Sequence, residues 1–202
     1  MDLEKLRQIQ KQINSCTKCD LYKNKREYVP GIIGNKFPKT IFVGEAPGAT
    51  EDAWGEPFVG RSGKLLTKCI EEVFNMSRGE YSILNTVKCR PPDNRDPSKK
   101  EKDICSDYLY AQIAALVPCM IVPLGKHAGN IFSPTEMSAG ELVKSYFIDE
   151  EYGIRIVPCY HPAYILRNKT LEIAFKTEFK RIQEGTYVYD RNLYRCNILS
   201  TK

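Results

Sequence analysis

Thr40-Ile41-Phe42-Val43-Gly44-Glu45-Ala46-Pro47-Gly48-Ala49-Thr50-Glu51-Asp52 is the stretch on which the fold turns. Four β-branched or apolar residues stopped by glycine read as a buried strand. The strand empties into a loop, residues 45–61, rich in glycine, proline and acid. In an open parallel sheet, ligands collect where such loops leave the carboxyl ends of the strands.

Upstream of this strand, Leu3, Leu6, Ile9 and Ile13 fall three or four apart and predict a short amphipathic helix that delivers the chain to Cys16. Downstream, Leu65, Leu66, Cys69, Ile70, Val73 and Phe74 repeat with helical period. A second strand is expected at residues 82–87, followed by a basic loop at 88–97. Ser98 and Glu101 then have the S-x-x-E spacing of a capping box, opening a helix that runs to about Val117. A strand at 119–123 and a short helix at 125–132 follow. After an irregular, hairpin-like passage come a strand at 154–159 and a last helix with Leu171, Ala174, Phe175, Phe179 and Ile182 on one face.

Strands alternating with helices predict an α/β fold, a three-layer α/β/α sandwich around a central, mainly parallel four-stranded sheet. With no linker or repeat visible, residues 1–202 read as a single domain, and the tail 185–202, with three tyrosines, has no assigned place.

Composition narrows the function classes. Hydrophobic residues at 42% and charged ones at 27% are ordinary for a globular protein and exclude disorder, collagen and coiled coil. No apolar run approaches the roughly 20 residues of a membrane-spanning helix, and residues 1–14 lack the core of a secretory signal. The chain is therefore expected to be intracellular, in a reducing compartment, where eight cysteines argue against a disulfide scaffold. A net charge of +5 permits an acidic partner without naming one.

Cys16 and Cys19 form a C-x2-C pair, and fifteen residues separate Cys89 from Cys105. Four thiolates so arranged suit a metal or an iron-sulfur cluster, and spacing alone does not separate the two. Cys69, Cys119, Cys159 and Cys196 read instead as buried thiols. The GRSGK run, residues 60–64, fails the phosphate-loop pattern, because no glycine stands at the required earlier position and Leu65 replaces the hydroxyl residue.

Phe58 lies in a polar loop where an aromatic ring could stack on a base, and Asn85, near a strand end, could read a base edge. His161 follows the last strand; His127, the other histidine, reads as structural or exposed. Basic residues concentrate at 88–102, with six Lys or Arg against three acids, and again at Arg167, Lys169, Lys176, Lys180 and Arg181, as a phosphate-tracking surface would require.

Taken in order, GEAPGATED (44–52), EPFVGRSGKLL (56–66), LNTVKCRPP (84–92) and HPAYILR (161–167) resemble the motif series of family 4 uracil-DNA glycosylases, the iron-sulfur branch of that superfamily. The resemblance runs from Cys16 to about Arg181. It implies a monomeric DNA repair enzyme that flips uracil out of DNA and hydrolyses the N-glycosidic bond, working in the cytoplasm or at the nucleoid. It implies a [4Fe-4S] cluster on Cys16, Cys19, Cys89 and Cys105. Phe58 would stack on the base, Asn85 would pair with its polar edge, and His161 and the amide of Ala46 would donate to the oxygen that gains charge. Gly48 would lie against the substrate. Glu51 would stand near C5 of the ring, Glu45 and Glu51 would oppose positive charge on the sugar, and Arg61, Ser62 and Arg167 would contact DNA.

Two departures bear on chemistry. Ala46 stands where the best-known branch of the superfamily carries a water-activating aspartate, so no general base is named. RPPDNRDP (90–97) stands where a covalently trapping branch carries a histidine-containing insertion, so covalent capture is not expected. A non-catalytic DNA-binding module or replication accessory protein, and structural zinc in place of iron and sulfide, remain the alternatives.

Overall fold

The computed structural model describes residues 1–35, 40–149 and 151–189. In chain order the elements are α1 (Leu3–Ile13), β1 (Thr40–Gly44), α2 (Ala49–Trp54), α3 (Arg61–Phe74), β2 (Ser82–Asn85), α4 (Lys99–Leu116), β3 (Met120–Pro123), α5 (Lys126–Phe132), α6 (Ala139–Leu142), β4 (Phe147–Asp149), β5 (Ile154–Ile156), α7 (Pro162–Arg167) and α8 (Glu172–Tyr189). The expected tail from 185 is helical as far as Tyr189, and the rest of it lies outside the described residues.

The sheet order is β2-β1-β3-β5-β4. The first four are parallel, with Gly44 opposite Asn85 and Ile41 opposite both Ser82 and Ile121. The sheet thus has five strands among the described residues, not the expected four. The addition is β4, antiparallel to β5 at the edge, which is the hairpin-like passage resolved into a short strand pair.

Strand alternation builds the layers. Ile41, Val43, Leu84, Ile121 and Ile156 point into one core with Leu6, Ile9 and Ile13 of α1 and Leu109, Ile113 and Leu116 of α4. Phe42, Ile83, Met120 and Val122 point into the other, against Leu66 and Ile70 of α3 and Phe175, Phe179 and Ile182 of α8. A sheet covered on both faces shows apolar residues at successive positions, which is why these strands read as unbroken runs. Each such side chain contributes about 1.5–3 kcal/mol by leaving water.

The capping box is present: Ser98 Oγ accepts from Glu101 N at 3.3 Å, and Glu101 Oε2 accepts from Ser98 N at 2.7 Å. Arg95 grips the same carboxylate with two bonds of 2.8 and 2.7 Å. These contacts hold the Glu101 carboxyl down at about 2. Two helix-face assignments fail, because Leu3 and Ala174 face solvent. The loop expected at 45–61 contains α2, a six-residue helix between Gly48 and a left-handed Gly55, too short to show an apolar period. Cys119 is half-buried and is not among the free thiols, unlike Cys69 and Cys159. Among the described residues no helix is long and apolar enough to cross a membrane.

Candidate active site

A cleft of about 360 Å³ opens at the carboxyl ends of the strands. Glu45 leaves β1, Asn85 ends β2 and His161 follows β5, so three chain segments distant in sequence converge there. Glu45, Ala46, Gly48, Glu51, Phe58, Ser62, Asn85, His161 and Arg167 all line it. Arg61 does not; it is exposed at the first position of α3.

Phe58 is held in an unusual conformation. Its φ of 52° is left-handed, costly for an aromatic residue by about 1–3 kcal/mol and maintained only where neighbours enforce it. They do: Glu51 Oε1 accepts from Val59 N at 2.9 Å and Gly60 N at 2.7 Å, and Arg78 donates to the carbonyls of Phe58 and Pro57. Glu51 is therefore a buried strut that fixes the Phe58 turn while its side chain walls the cleft.

The ring of Phe58 meets Asn85 above Gly44. A Cβ at Gly44 would lie 2.5 Å from both the Phe58 Cζ and the Asn85 Oδ1, so only glycine lets strand β1 pass beneath the two. Asn85 is 1% exposed, and its Oδ1 is buried with no hydrogen-bond partner. An orphaned buried acceptor costs about 1–3 kcal/mol, so its retention marks a place for a donor from outside.

His161 faces Phe58 with ring centroids 5.9 Å apart. It caps α7, with Nδ1 accepting from Ala163 N at 3.1 Å. That bond assigns the proton of the neutral ring to Nε2, leaving a donor free for the cleft. Burial pushes the imidazole down to about 4, with the positive charge of Arg167 acting the same way, so the ring is neutral at pH 7. Gly125, at a left-handed φ of 87°, makes room for it; a Cβ there would stand 2.8 Å from the Cβ of His161.

Glu45 is pushed up to about 7 by burial, then by Asp96. Its Oε1 is buried without a hydrogen bond and lies 3.5 Å from Nδ1 of His127, whose Nε2 is 3.3 Å from Asp96. His127 is thus half-buried between two acids beside the cleft, not merely a surface residue. Sequence offered no sign of this, since His127 belongs to α5 while Glu45 and Asp96 come from two separate loops. Asn94, Arg95, Asp96 and two prolines of the 90–97 loop also line the cleft, where Asp93 and Asn94 take left-handed φ of 53° and 56°. Asn and Asp tolerate that region better than other side chains.

Cys16, Cys19, Cys89 and Cys105 line a second cavity, together with Tyr28, Lys88 and Tyr108. The hydroxyl of Tyr28 donates to the Cys16 carbonyl at 2.8 Å. Burial pushes the Cys89 thiol up to about 12, and Cys105, Cys19 and Cys16 push the same way, so the four sulfurs sense one another.

The expected basic surface is smaller than its sequence count. Lys88 is 2% exposed and points inward, Arg95 is paired with Glu101, and Lys176 lies 3.0 Å from Glu72. Arg167, Lys99, Lys100, Lys169, Lys180 and Arg181 remain exposed.

Residues 32–184 match the family model described as the uracil DNA glycosylase superfamily. The chain is 41% identical over 188 residues to a type-4 uracil-DNA glycosylase of Archaeoglobus fulgidus, covering 90% of this chain and 94% of that one. It is 39% identical over 189 residues to the type-4 enzyme of Saccharolobus solfataricus, covering 91% and 87%, and 40% identical over 193 residues to that of Sulfurisphaera tokodaii, covering 90% and 85%. Identity at this level across nearly the full length of both partners, on a sheet whose strand ends assemble the cleft described above, makes the chain a member of the type-4 uracil-DNA glycosylases.

Proposed function

We propose that the cleft receives a uracil extruded from DNA and that the protein hydrolyses its N-glycosidic bond, leaving an abasic site. The observation that carries the reading is the meeting of Phe58, the orphaned acceptor of Asn85 and the neutral donor of His161 in one cleft. Uracil presents a flat face, an imide N–H flanked by two carbonyls, and no charge. Those features match a ring, an acceptor and a donor in turn. A non-catalytic DNA-binding module would need a cationic surface but not this trio.

The reaction separates charge. Uracil departs as an anion while the sugar gains positive character, so groups that stabilise only the separated state accelerate the step. In this reading the Nε2–H of His161 and the amide of Ala46 bond the oxygen on which negative charge grows, each kind of donor being worth about 3 kcal/mol. Glu45 opposes the charge on the sugar, and with a carboxyl near 7 it is also suited to accept a proton from the attacking water. Glu51, with Gly48 beside it, walls the cleft where C5 of the base would lie. Ser62 and Arg167 at the rim, with Arg61 beyond it, hold flanking phosphates and offset the few kcal/mol that base flipping costs.

The four cysteines fit a [4Fe-4S] cluster. They offer four sulfur donors around one cavity, the donor set such a cluster requires. A single zinc, with Zn–S near 2.3 Å, would draw its sulfurs to about 3.8 Å of each other. Among the described residues the one group of ligating atoms gathered within 4.8 Å is Glu45, Asp96 and His127, and not the cysteines. A cluster, when bound, would cross-link the segment after α1 to α4 and the loop before it.

Incubation with a uracil-containing oligonucleotide followed by alkali tests the activity. Strand scission at the uracil position is expected; intact strands from folded, cluster-loaded protein would refute it.

A further inference from the structure

Lys88 is among the largest side chains removed from solvent, and its charged end reaches both functional regions. Its Nζ donates to the carbonyl of Asn85 at 2.6 Å and to Oε1 of Gln112 at 2.7 Å. Gln112, itself 3% exposed, passes the connection on through Nε2 to the carbonyl of Pro30 at 2.7 Å. The Lys88 carbonyl in turn accepts from Val29 N at 2.8 Å. Lys88 and Gln112 together therefore tie the end of β2, the middle of α4 and the segment around Val29 and Pro30.

The same side chain lines the cysteine cavity. Cys89 is its neighbour in sequence, and Cys105 lies two helical turns before Gln112 on α4. Both acceptors of the ammonium are neutral, and among the described residues no carboxylate pairs with it. A buried cation without a counter-charge is strongly unfavourable. With a cluster bound, the four cysteines would be thiolates, and four thiolates around an iron-sulfide core form a net negative assembly beside the ammonium.

We propose that Lys88 is a positioning residue: it supplies the counter-charge to the cysteine-bound cluster and pins the backbone of Asn85, so that the cluster and the base-reading amide are held as one unit. The inference rests on the cluster reading above and extends it to the substrate cleft. It gives the metal centre a physical path to uracil recognition, through two hydrogen bonds rather than through electron transfer.

Lys88→Met keeps an unbranched side chain one atom shorter and removes charge and donors. Gln112→Met removes one acceptor and keeps the charge. Both are loaded anaerobically and compared with the wild type in iron and sulfide content, cluster midpoint potential, and single-turnover excision of uracil. Lys88→Met is expected to lower the potential, since loss of a nearby cation disfavours reduction. It should slow excision about 100-fold, the effect of misplacing a reacting contact by about 1 Å, with affinity for uracil-free DNA unchanged. Gln112→Met should leave the potential at the wild-type value. An unchanged potential with excision within threefold of wild type would overturn the proposal. Should Lys88→Met fail to fold or load, amide hydrogen exchange at residues 85–88 of the wild type decides, before and after chelation of the cluster: faster exchange after chelation supports the pin, and unchanged exchange overturns it. A wild type that takes up no iron and sulfide would instead sink the cluster reading itself.

Discussion

His161 and Glu45 give the protein two half-buried groups, shifted by desolvation, whose pH effects on stability oppose each other. Burial lowers His161 from its ordinary value near 6.5 to about 4. The unfolded chain therefore binds the proton first, and folding stability is lost as pH falls from about 6.5 to 4. At 1.36 kcal/mol per pH unit that loss is about 3 kcal/mol. Burial raises Glu45 from 4.5 to about 7. Here the unfolded chain gives up its proton first, so stability is lost as pH rises from about 4.5 to 7, again by about 3 kcal/mol. In the wild type the two slopes nearly cancel. Each variant should expose the other: relative to wild type, His161→Gln gains about 3 kcal/mol as pH falls from 6.5 to 4, and Glu45→Gln gains about the same as pH rises from 4.5 to 7. Urea unfolding of both variants and the wild type at half-unit steps between pH 4 and 7.5 measures the two differences. Difference curves flat to within about 0.5 kcal/mol, or sloping the same way, would refute the assignment of these protonation states.

Asn85→Ala should leave the fold intact, because it removes an orphaned buried acceptor, yet lower uracil excision about 100- to 1000-fold in single-turnover assays. Gly44→Ala drives a methyl between Phe58 and Asn85, and should cost about 1–3 kcal/mol in chemical denaturation while abolishing excision more completely than it weakens DNA affinity. Glu101→Gln loosens the capping box and the Arg95 pair, and a loss of about 1–2 kcal/mol is expected at pH 7. Since the Glu101 carboxyl is held at about 2, that loss should shrink as pH falls from 4.5 toward 2, which acid titration of the unfolding midpoint would record.

The layers were legible because burial on both faces leaves a plain mark in sequence. Ile41 to Val43, Ile83 and Leu84, and Met120 to Val122 are continuous apolar runs, and Ser98 with Glu101 announces α4 from four residues. What escaped has physical causes. β4 alternates half-buried and exposed residues over three positions, too few for a period. α2 is one and a half turns stabilised by its ends and by Glu51, with no apolar stripe. In the site, Phe58, Asn85 and His161 were found through motifs, and the cleft gathers them. The pairing of His127 with Glu45 and Asp96 depends on how the start of α5 and two loops approach in space, and the inward turn of Lys88 depends on acceptors 3 and 24 residues away. Neither leaves a local pattern. A lysine in a basic run looks the same whether it faces phosphate or protein.

On the proposed roles, the protonation states of the cleft follow from when charge appears. Before the bond breaks, the base is neutral, and a low-dielectric cleft favours neutral partners: an imidazole at about 4 stays uncharged, and a carboxyl near 7 is only half ionised at neutral pH. Neither group meets the substrate with a full charge that must be desolvated. As the bond lengthens, negative charge grows beside the Nε2–H of His161 and positive charge grows on the sugar, near the carboxyl of Glu45. The hydrogen bond then strengthens, and ionisation of Glu45 becomes favourable just where a cation needs it, which also leaves it able to take the proton of incoming water. Burial is thus the common cause of the two opposed stability slopes and of the preference for the charge-separated state. Were His161 protonated in the folded protein, the imidazolium would repel Arg167 and lose the bond that Nδ1 accepts from Ala163 N, and with it the anchor that aims the Nε2–H into the cleft.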